Sequence, residues 1–175
     1  NCATGLGVDK SRVRNTTRDL ILSPETAIDS RHATAVDNLH IIVGDRSLIG
    51  LEQEMLRQLG RERRMKEALE PLLPHYDIVL IDTPPSLGLV TINALVASDG
   101  VLIPMQTEYF ALEGLALLSG TIREVRTLLN EHLGVDGVLL TMHSQTLLNQ
   151  QVAGELLETF PDLVVKPAIR RNVRL

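Results

Sequence analysis

The stretch YDIVLIDTPPSLG, residues 76–88, decides the predicted fold because it places an acid directly after a continuous apolar run. Residues 77–81 read DIVLI, and an unbroken apolar core of this kind is typical of a strand covered on both faces. Asp82 ends the run, and Pro84 and Pro85 restrict the backbone of the turn that follows. A buried strand is a rigid support, so the stretch predicts a carboxylate held firmly at one edge of a sheet. The alternative is that Asp82 only caps the turn or the next helix.

Similar apolar runs recur along the chain, and helical patterns separate them. Strands are predicted at 39–43, 77–81, 100–105, 137–142 and 163–169. Helices are predicted near 16–22 and at 51–73 (one helix, or two joined near Gly60), 91–98, 112–132 and 147–160. Alternation of strand and helix indicates parallel strands with right-handed crossovers. The predicted class is therefore α/β, a mostly parallel, doubly wound sheet with helices on both faces, and residues 1–175 are predicted to form one partial domain.

Composition narrows the range of functions. No apolar run approaches the ~18 residues of a membrane-spanning helix, so we expect a cytoplasmic protein with no membrane partner. The single cysteine allows no internal disulfide, and the five histidines show no zinc-ligand spacing. A net charge of −5 argues against a generally basic surface. However, all the charged residues within 163–175 are cations, namely Lys166, Arg170, Arg171 and Arg174. They form either a solvated basic end or a patch that contacts phosphates.

Asp82 can be interpreted more specifically from the residues around it. Four apolar residues followed by an acid form the Walker B pattern of P-loop nucleotidases, in which the carboxylate lies near a magnesium ion on nucleotide phosphates. The longer string DIVLIDTPPSLGLVTINALVASDGVLIPMQTEYFALEGL, residues 77–115, resembles the ParA/Soj family of chromosome and plasmid partition ATPases. Two blocks carry the resemblance, IDTPPSLGxxTxNAL and PxQxEYxALEG. NCATGLGV at 1–8 and RNVRL at 171–175 extend it along almost the whole chain.

The resemblance implies a role for each matching residue. Asp82 would hold Mg²⁺ through water, and Thr83, Pro84 and Pro85 would form a switch that senses the γ-phosphate. A dimer face would include Gln106, Glu108 and Glu113, although Glu113 could equally be a first-turn acid favoured by the helix dipole. Arg171 and Asn172 would border the nucleotide base. DNA would be bound by Lys166, Arg170, Arg171 and Arg174.

The resemblance also implies cofactors and partners. The cofactors would be ATP and Mg²⁺, and the partners non-specific DNA, a ParB-like centromere-binding protein and a second copy of the chain when ATP is bound. The protein would be cytoplasmic and associated with the nucleoid. The family's glycine-rich loop, KGGxGKTT, would lie before Asn1, and its terminal helices after Leu175. We therefore expect an internal segment of a partition ATPase, inactive by itself. The open alternative is a non-catalytic remnant or interaction module.

Two loops depart from the family pattern. The family has Asp-x-Arg after TM, whereas TMHSQTLLN offers His143, Ser144 and Gln145. The family's IPRN is here Ile169-Arg170-Arg171-Asn172, so that a cation replaces a proline. The first change predicts weaker DNA binding, and the second predicts that some positive charge is restored.

Overall fold

The computed structural model describes residues 2–107, 111–144 and 146–172. The chain separates into two compact units, residues 1–97 and 98–175, and each is described by itself. The expectation of a single partial domain stays a prediction. Among the described residues, no helix has the length and apolar character needed to cross a bilayer.

The first unit is mainly helical. Its helices are α1 (Cys2–Gly5), α2 (Thr17–Leu22), α3 (Leu48–Met55), α4 (Arg64–Leu69) and α5 (Leu89–Ala97). Short 3₁₀ helices cover Lys10–Arg12, Pro24–Thr26, Arg61–Arg63 and Glu70–His75. Strands β1 (His32–Ala33) and β2 (His40–Ile41) form a short antiparallel pair. The core of this unit includes Ile21, Leu51, Met55, Ala68 and Ala94.

Two local features explain where helices of the first unit begin and end. The Asp19 carboxylate accepts hydrogen bonds from the Thr16 N–H and hydroxyl, both at 2.8 Å, which fixes the start of α2. Gly60 has φ +68°, a left-handed conformation that glycine adopts without steric cost. It separates α3 from the 3₁₀ turn that leads into α4. The predicted 51–73 helix is therefore two helices divided near Gly60.

The second unit contains a parallel three-stranded sheet. Its strands are β3 (Gly100–Gln106), β4 (Gly134–Thr141) and β5 (Val164–Val165), in that order across the sheet. Helix α6 (Ala111–Leu128) connects β3 to β4, and α7 (Leu147–Thr159) connects β4 to β5. Helix α6 corresponds to the helix predicted at 112–132, and it packs through one apolar face on which Leu115, Ile122 and Val125 are buried. Two fully enclosed leucines, Leu133 and Leu156, complete the core of this unit.

The predicted strand at 77–81 is wrong for the described structure. Ile78 is 75% exposed and Leu80 is 91% exposed, and no strand is assigned between Tyr76 and Gly88. A strand exists only when a neighbouring strand satisfies its backbone hydrogen bonds, and no segment of the described residues pairs with this one.

The predicted strand at 39–43 also needs correction. It shortens to His40–Ile41 and pairs antiparallel with β1, so it is not part of the parallel sheet. The last predicted strand, 163–169, shortens to β5 because the chain reaches Pro167, which has no N–H to donate to a ladder.

Candidate functional site

Asp82 lies at the surface of the first unit. Its side chain is exposed, and its Oδ2 atom accepts a hydrogen bond from the Sγ of Cys2 at 3.2 Å. No Lys, Arg or His side chain among the described residues lies within 4.0 Å of the Asp82 carboxylate. The carboxylate is thus accessible to solvent and to ligands. The hydrogen bond and the charge of Asp82 raise the pKa of the Cys2 thiol above its ordinary value of 9.0.

The single carboxylate of Asp82 suits a magnesium ion that takes its remaining ligands from other groups. In the described residues, no group of three or more His, Cys, Asp and Glu side chains could hold a metal ion. Mg²⁺ characteristically keeps several waters and takes one or two carboxylates together with phosphate oxygens. A lone exposed carboxylate is compatible with that coordination, whereas a metal caged by the protein alone would need more ligands.

The predicted switch residues follow Asp82 directly and are all exposed, namely Thr83, Pro84 and Pro85. Hydrogen bonds hold the chain just beyond them. The Thr91 hydroxyl donates to the Ser86 carbonyl at 2.6 Å, and the Ile92 N–H donates to the Gly88 carbonyl at 3.0 Å. The segment from Asp82 to Pro85 therefore lies open to solvent, while its carboxyl end is fastened to the first turn of α5.

In the second unit, two of the predicted dimer-face residues are described. Gln106 is the last residue of β3, and its side chain is exposed, whereas the neighbouring Thr107 is 2% exposed. Glu113 is exposed in the first turn of α6, a position that also suits the helix dipole. Glu108 lies outside the described residues.

The basic segment of the second unit, residues 166–172, is held against the end of β4 by backbone hydrogen bonds. The Ile169 N–H donates to the Leu140 carbonyl at 2.8 Å, and the His143 N–H donates to the Ile169 carbonyl at 3.0 Å. The Arg171 N–H then donates to the His143 carbonyl at 3.1 Å, and His143 and Arg170 form a parallel bridge. Exposed polar side chains project from this segment, namely Lys166, Arg170, Arg171 and Asn172. Arg174 lies outside the described residues.

A cleft of about 200 Å³ lies at the carboxyl ends of β3 and β4, where parallel sheets commonly bind ligands. It is lined by Gln106, Thr107, Met142, Ser144, Asn149 and Arg171. The structure therefore brings Gln106 and Arg171 together, although they were predicted to serve a dimer face and a nucleotide base respectively. Asn149 Nδ2 donates to Ser144 Oγ at 2.8 Å and orders one wall of the cleft.

Sequence reasoning missed three parts of these sites. Cys2 contacts Asp82 across 80 residues, and no local signal predicts that contact. The sequence pattern predicts Asn149 only as part of a helix, although this residue lies just after the loop that follows β4. Asn93 belongs to the quoted TxNAL block, which could have indicated a role for a polar residue in an otherwise apolar helix.

Comparison with known proteins identifies the class to which this fold belongs. Residues 1–135 match a family model described as an AAA domain. The chain also superimposes with a TM-score of 0.88 on cobyrinic acid a,c-diamide synthase from Mycobacterium smegmatis, solved with an ATP analogue and magnesium. That structure is 30% identical, and the match covers 97% of this chain and 70% of the other. The predicted class, a P-loop NTPase-like α/β fold with a mostly parallel sheet and helices on both faces, is confirmed.

The relatives in sequence define the family more narrowly. The chain is 47% identical to the sporulation initiation inhibitor protein Soj of Bacillus subtilis over 176 residues, covering all of this chain and 70% of Soj. It is 40% identical to the chromosome partitioning protein ParA of Caulobacter vibrioides over 178 residues, covering all of this chain and 67% of that protein. The chain belongs to the ParA/Soj family of partitioning proteins, and the predicted resemblance is confirmed.

Proposed function

We propose that the protein containing this chain is a chromosome or plasmid partitioning ATPase. It binds Mg²⁺ and ATP, pairs with a second copy of itself, binds DNA without sequence preference and hydrolyses ATP when a ParB-like centromere-binding partner stimulates it. The observation that carries the proposal is the exposed Asp82 carboxylate, which no cationic side chain of the described residues pairs with, within a chain that is 47% identical to Soj along its whole length.

Asp82 is the residue that we assign to magnesium. Its carboxylate would contact the ion through water, in keeping with the preference of Mg²⁺ for a few carboxylates together with phosphates. The ion, when bound, would neutralise charge on the phosphates. Thr83, Pro84 and Pro85 are exposed immediately beside this carboxylate. Their position supports a segment that changes conformation with the occupancy of the site.

The cleft at the ends of β3 and β4 is the candidate for the nucleotide base and for part of the dimer face. Arg171 and Gln106 both line it, so one surface could serve both predicted roles. Its hydroxyl and amide groups, from Thr107, Ser144 and Asn149, can donate and accept hydrogen bonds. Asn172 follows Arg171 directly and is exposed.

DNA binding is assigned to the basic segment. Lys166, Arg170 and Arg171 are exposed, and arginine and lysine bind DNA phosphates irrespective of base sequence. Binding of this kind would associate the protein with the nucleoid.

The test is replacement of Asp82 by Ala in the intact protein. Dimerisation would be measured by light scattering with ATP and Mg²⁺ and, separately, without nucleotide. We expect the wild-type protein to dimerise only with nucleotide, and Asp82→Ala to remain monomeric. Asp77→Ala is the matched control, because Asp77 is an exposed acid in the same segment. A nucleotide-dependent dimer that persists in Asp82→Ala would overturn the role of Asp82. A wild-type protein that binds no nucleotide would favour the non-catalytic interaction module.

A further inference from the structure

A carboxylate from another helix caps the start of α5. Glu52, on α3, accepts a hydrogen bond through Oε1 from the Leu89 N–H at 2.7 Å. Leu89 is the first residue of α5, so its N–H has no partner within the helix. A negative charge at a helix N-terminus is also favoured by the helix dipole. Glu52 therefore holds α5 at the point where the exposed 82–88 segment joins it.

Gly88 makes this contact possible. A Cβ atom at residue 88 would overlap the Glu52 carboxylate, so any larger residue would push that side chain away from Leu89. The backbone of Gly88 does not have a positive φ in the left-handed range, so its conformation alone does not demand glycine. The close approach of Glu52 is therefore the feature of this position that a larger residue would disturb.

Glu52 extends from a helix that is itself fixed. Leu51 and Met55, on the same helix, are each 1% exposed and belong to the core of the first unit. Glu54 forms a bidentate pair with Arg18, at 2.9 and 2.7 Å, which ties α3 to α2. The Glu52 carboxylate is thus attached to an anchored element and can resist movement of the segment that it holds.

Asn93 holds α5 at a second point. Its side chain is 1% exposed, and its Oδ1 accepts from the Met65 N–H at 3.0 Å. Its Nδ2 donates to the Arg61 carbonyl at 2.8 Å and to the Leu89 carbonyl at 3.0 Å. Both backbone groups of Leu89 therefore have side-chain partners, the N–H from Glu52 and the carbonyl from Asn93. The first turn of α5 is fixed to the rest of the unit.

We propose that Glu52 is a positioning residue for the nucleotide-responsive segment. Glu52 fixes the amino end of α5. When Asp82–Pro85 moves, the accompanying backbone change is therefore restricted to residues 86–88, and the helix itself does not shift. The inference rests on the proposed function, since it concerns the segment that we assign to magnesium and the γ-phosphate. Glu52 would act through the backbone of this segment and would not touch the nucleotide.

The test compares three variants of the intact protein by amide hydrogen exchange, first without nucleotide and then with Mg²⁺ and a non-hydrolysable ATP analogue. In Glu52→Ala without nucleotide, we expect exchange at Leu89 to rise about tenfold, because a charge-assisted hydrogen bond is lost. With the analogue, we expect nucleotide-dependent protection of the amides within residues 82–88 to disappear. In a separate ATPase assay with ATP, we expect the KM for ATP to rise. Glu52→Gln retains an acceptor oxygen, so it should restore both the nucleotide-dependent protection and the KM for ATP. Gln53→Ala, at an exposed position of the same helix, is the matched control and should retain the nucleotide response.

A double-mutant cycle tests the contact without any nucleotide. Gly88→Ala should displace the Glu52 carboxylate, so it should raise Leu89 exchange as Glu52→Ala does. The double variant should show no further increase. Additive increases would mean that the two residues act independently, and the inference would fail.

The outcomes separate this inference from the proposed function. A wild-type protein that gains no protection from Mg²⁺ and nucleotide would overturn the proposed function and, with it, this inference. A wild-type protein that responds, together with a Glu52→Ala variant that responds equally, would overturn the inference alone. Loss of the response in Glu52→Ala, with rescue in Glu52→Gln, would support both.

Discussion

Cys2 and Asp82 are 80 residues apart in the sequence, yet the Sγ of Cys2 donates a hydrogen bond of 3.2 Å to the Asp82 carboxylate. The thiol is exposed, and it is the only cysteine of the chain. Any change in the charge or position of Asp82 should therefore alter the chemistry of a single thiol. Cys2 becomes an intrinsic probe of the carboxylate that we assign to magnesium.

Asp82→Asn should make Cys2 more reactive. The carboxylate raises the pKa of the thiol, so at pH 8 it lowers the fraction of thiolate, which is the reactive form. Removing the charge lowers that pKa, and alkylation by iodoacetamide at pH 8 should become severalfold faster. The rate would be measured by mass spectrometry between pH 7 and 10. Asp9→Asn, another exposed acid of the first unit, serves as the control. Identical rates in Asp82→Asn and wild type would contradict the contact.

Asp19→Asn should destabilise the protein at neutral pH but not in acid. Hydrogen bonds from Thr16 lower the pKa of Asp19 below its ordinary value of 3.8. A lowered pKa means that the carboxylate stabilises the fold above pH 3.8 and that this contribution is lost as the pH falls through the folded-state pKa. We expect a loss of about 1 kcal/mol in the free energy of unfolding at pH 7. Urea denaturation at pH 7 and pH 3 would measure it, with exposed Asp37→Asn as the control. An equal loss at both pH values would show that ionisation is not responsible.

Asn93→Ala should be among the most destabilising substitutions in the first unit. It removes the hydrogen bonds to Met65, Arg61 and Leu89 and leaves a buried N–H and two part-buried carbonyls without these partners. We expect a loss of about 3 kcal/mol in the free energy of unfolding. Exposed Gln53→Ala should stay within about 0.5 kcal/mol of wild type in the same urea titration. A loss in Asn93→Ala as small as that of Gln53→Ala would argue against the buried network.

Arg170→Ala should weaken DNA binding equally for all sequences. An exposed arginine that neutralises one phosphate contributes about one unit to the slope of log affinity against log salt concentration. Affinity would be measured by fluorescence anisotropy on two unrelated duplexes at several salt concentrations, using the nucleotide-bound intact protein. Arg123→Ala removes an exposed cation of α6 outside the basic segment and should leave the slope unchanged. A loss confined to one duplex would instead indicate sequence-specific contact.

Gly137→Ala and Gly120→Ala should have opposite effects on stability. A Cβ atom at residue 137 would lie 2.9 Å from the Leu163 carbonyl and 2.5 Å from Cγ2 of Val165, so it would disturb the pairing of β4 with β5. We expect a loss of about 2 kcal/mol or more. A Cβ at residue 120, within α6, meets nothing within 4 Å, and alanine there should add about 0.4–1 kcal/mol. Thermal unfolding would measure both. A neutral result for Gly137→Ala would contradict the close packing of the two strands.

The sequence patterns predicted the second unit well because its strands find their partners within it. The apolar runs at 100–105 and 137–142 correspond to β3 and β4, which pair with each other, and the helices between them follow the expected periodicity. The run at 77–81 has an equally strong apolar pattern and forms no strand. Periodicity measures how well a residue suits a sheet, whereas a strand also requires a neighbour, and the pattern contains no information about that neighbour.

The candidate sites were predictable in part for the same reason. A local motif singles out Asp82, and the family resemblance singles out Thr83–Pro85; the structure leaves all of them exposed, and their roles stay predictions. The contacts of Cys2 with Asp82 and of Glu52 with Leu89 join distant segments, so they depend on tertiary packing. A sequence pattern that spans only a few residues contains no information about such contacts.

The bridge between His143 and Arg170 has a consequence for the surface charge. The loop after β4 lacks the arginine that the family pattern has there, and the neighbouring segment has Arg170 where the pattern has proline. When each position is compared separately with the family pattern, these departures are a loss of positive charge and an unrelated gain of positive charge. Because His143 and Arg170 are bridge partners, the gained charge lies on a segment paired with the start of the loop that departs from the pattern. For the surface potential of this part of the second unit, the two departures therefore offset one another in part, because the charge is lost and gained on paired segments.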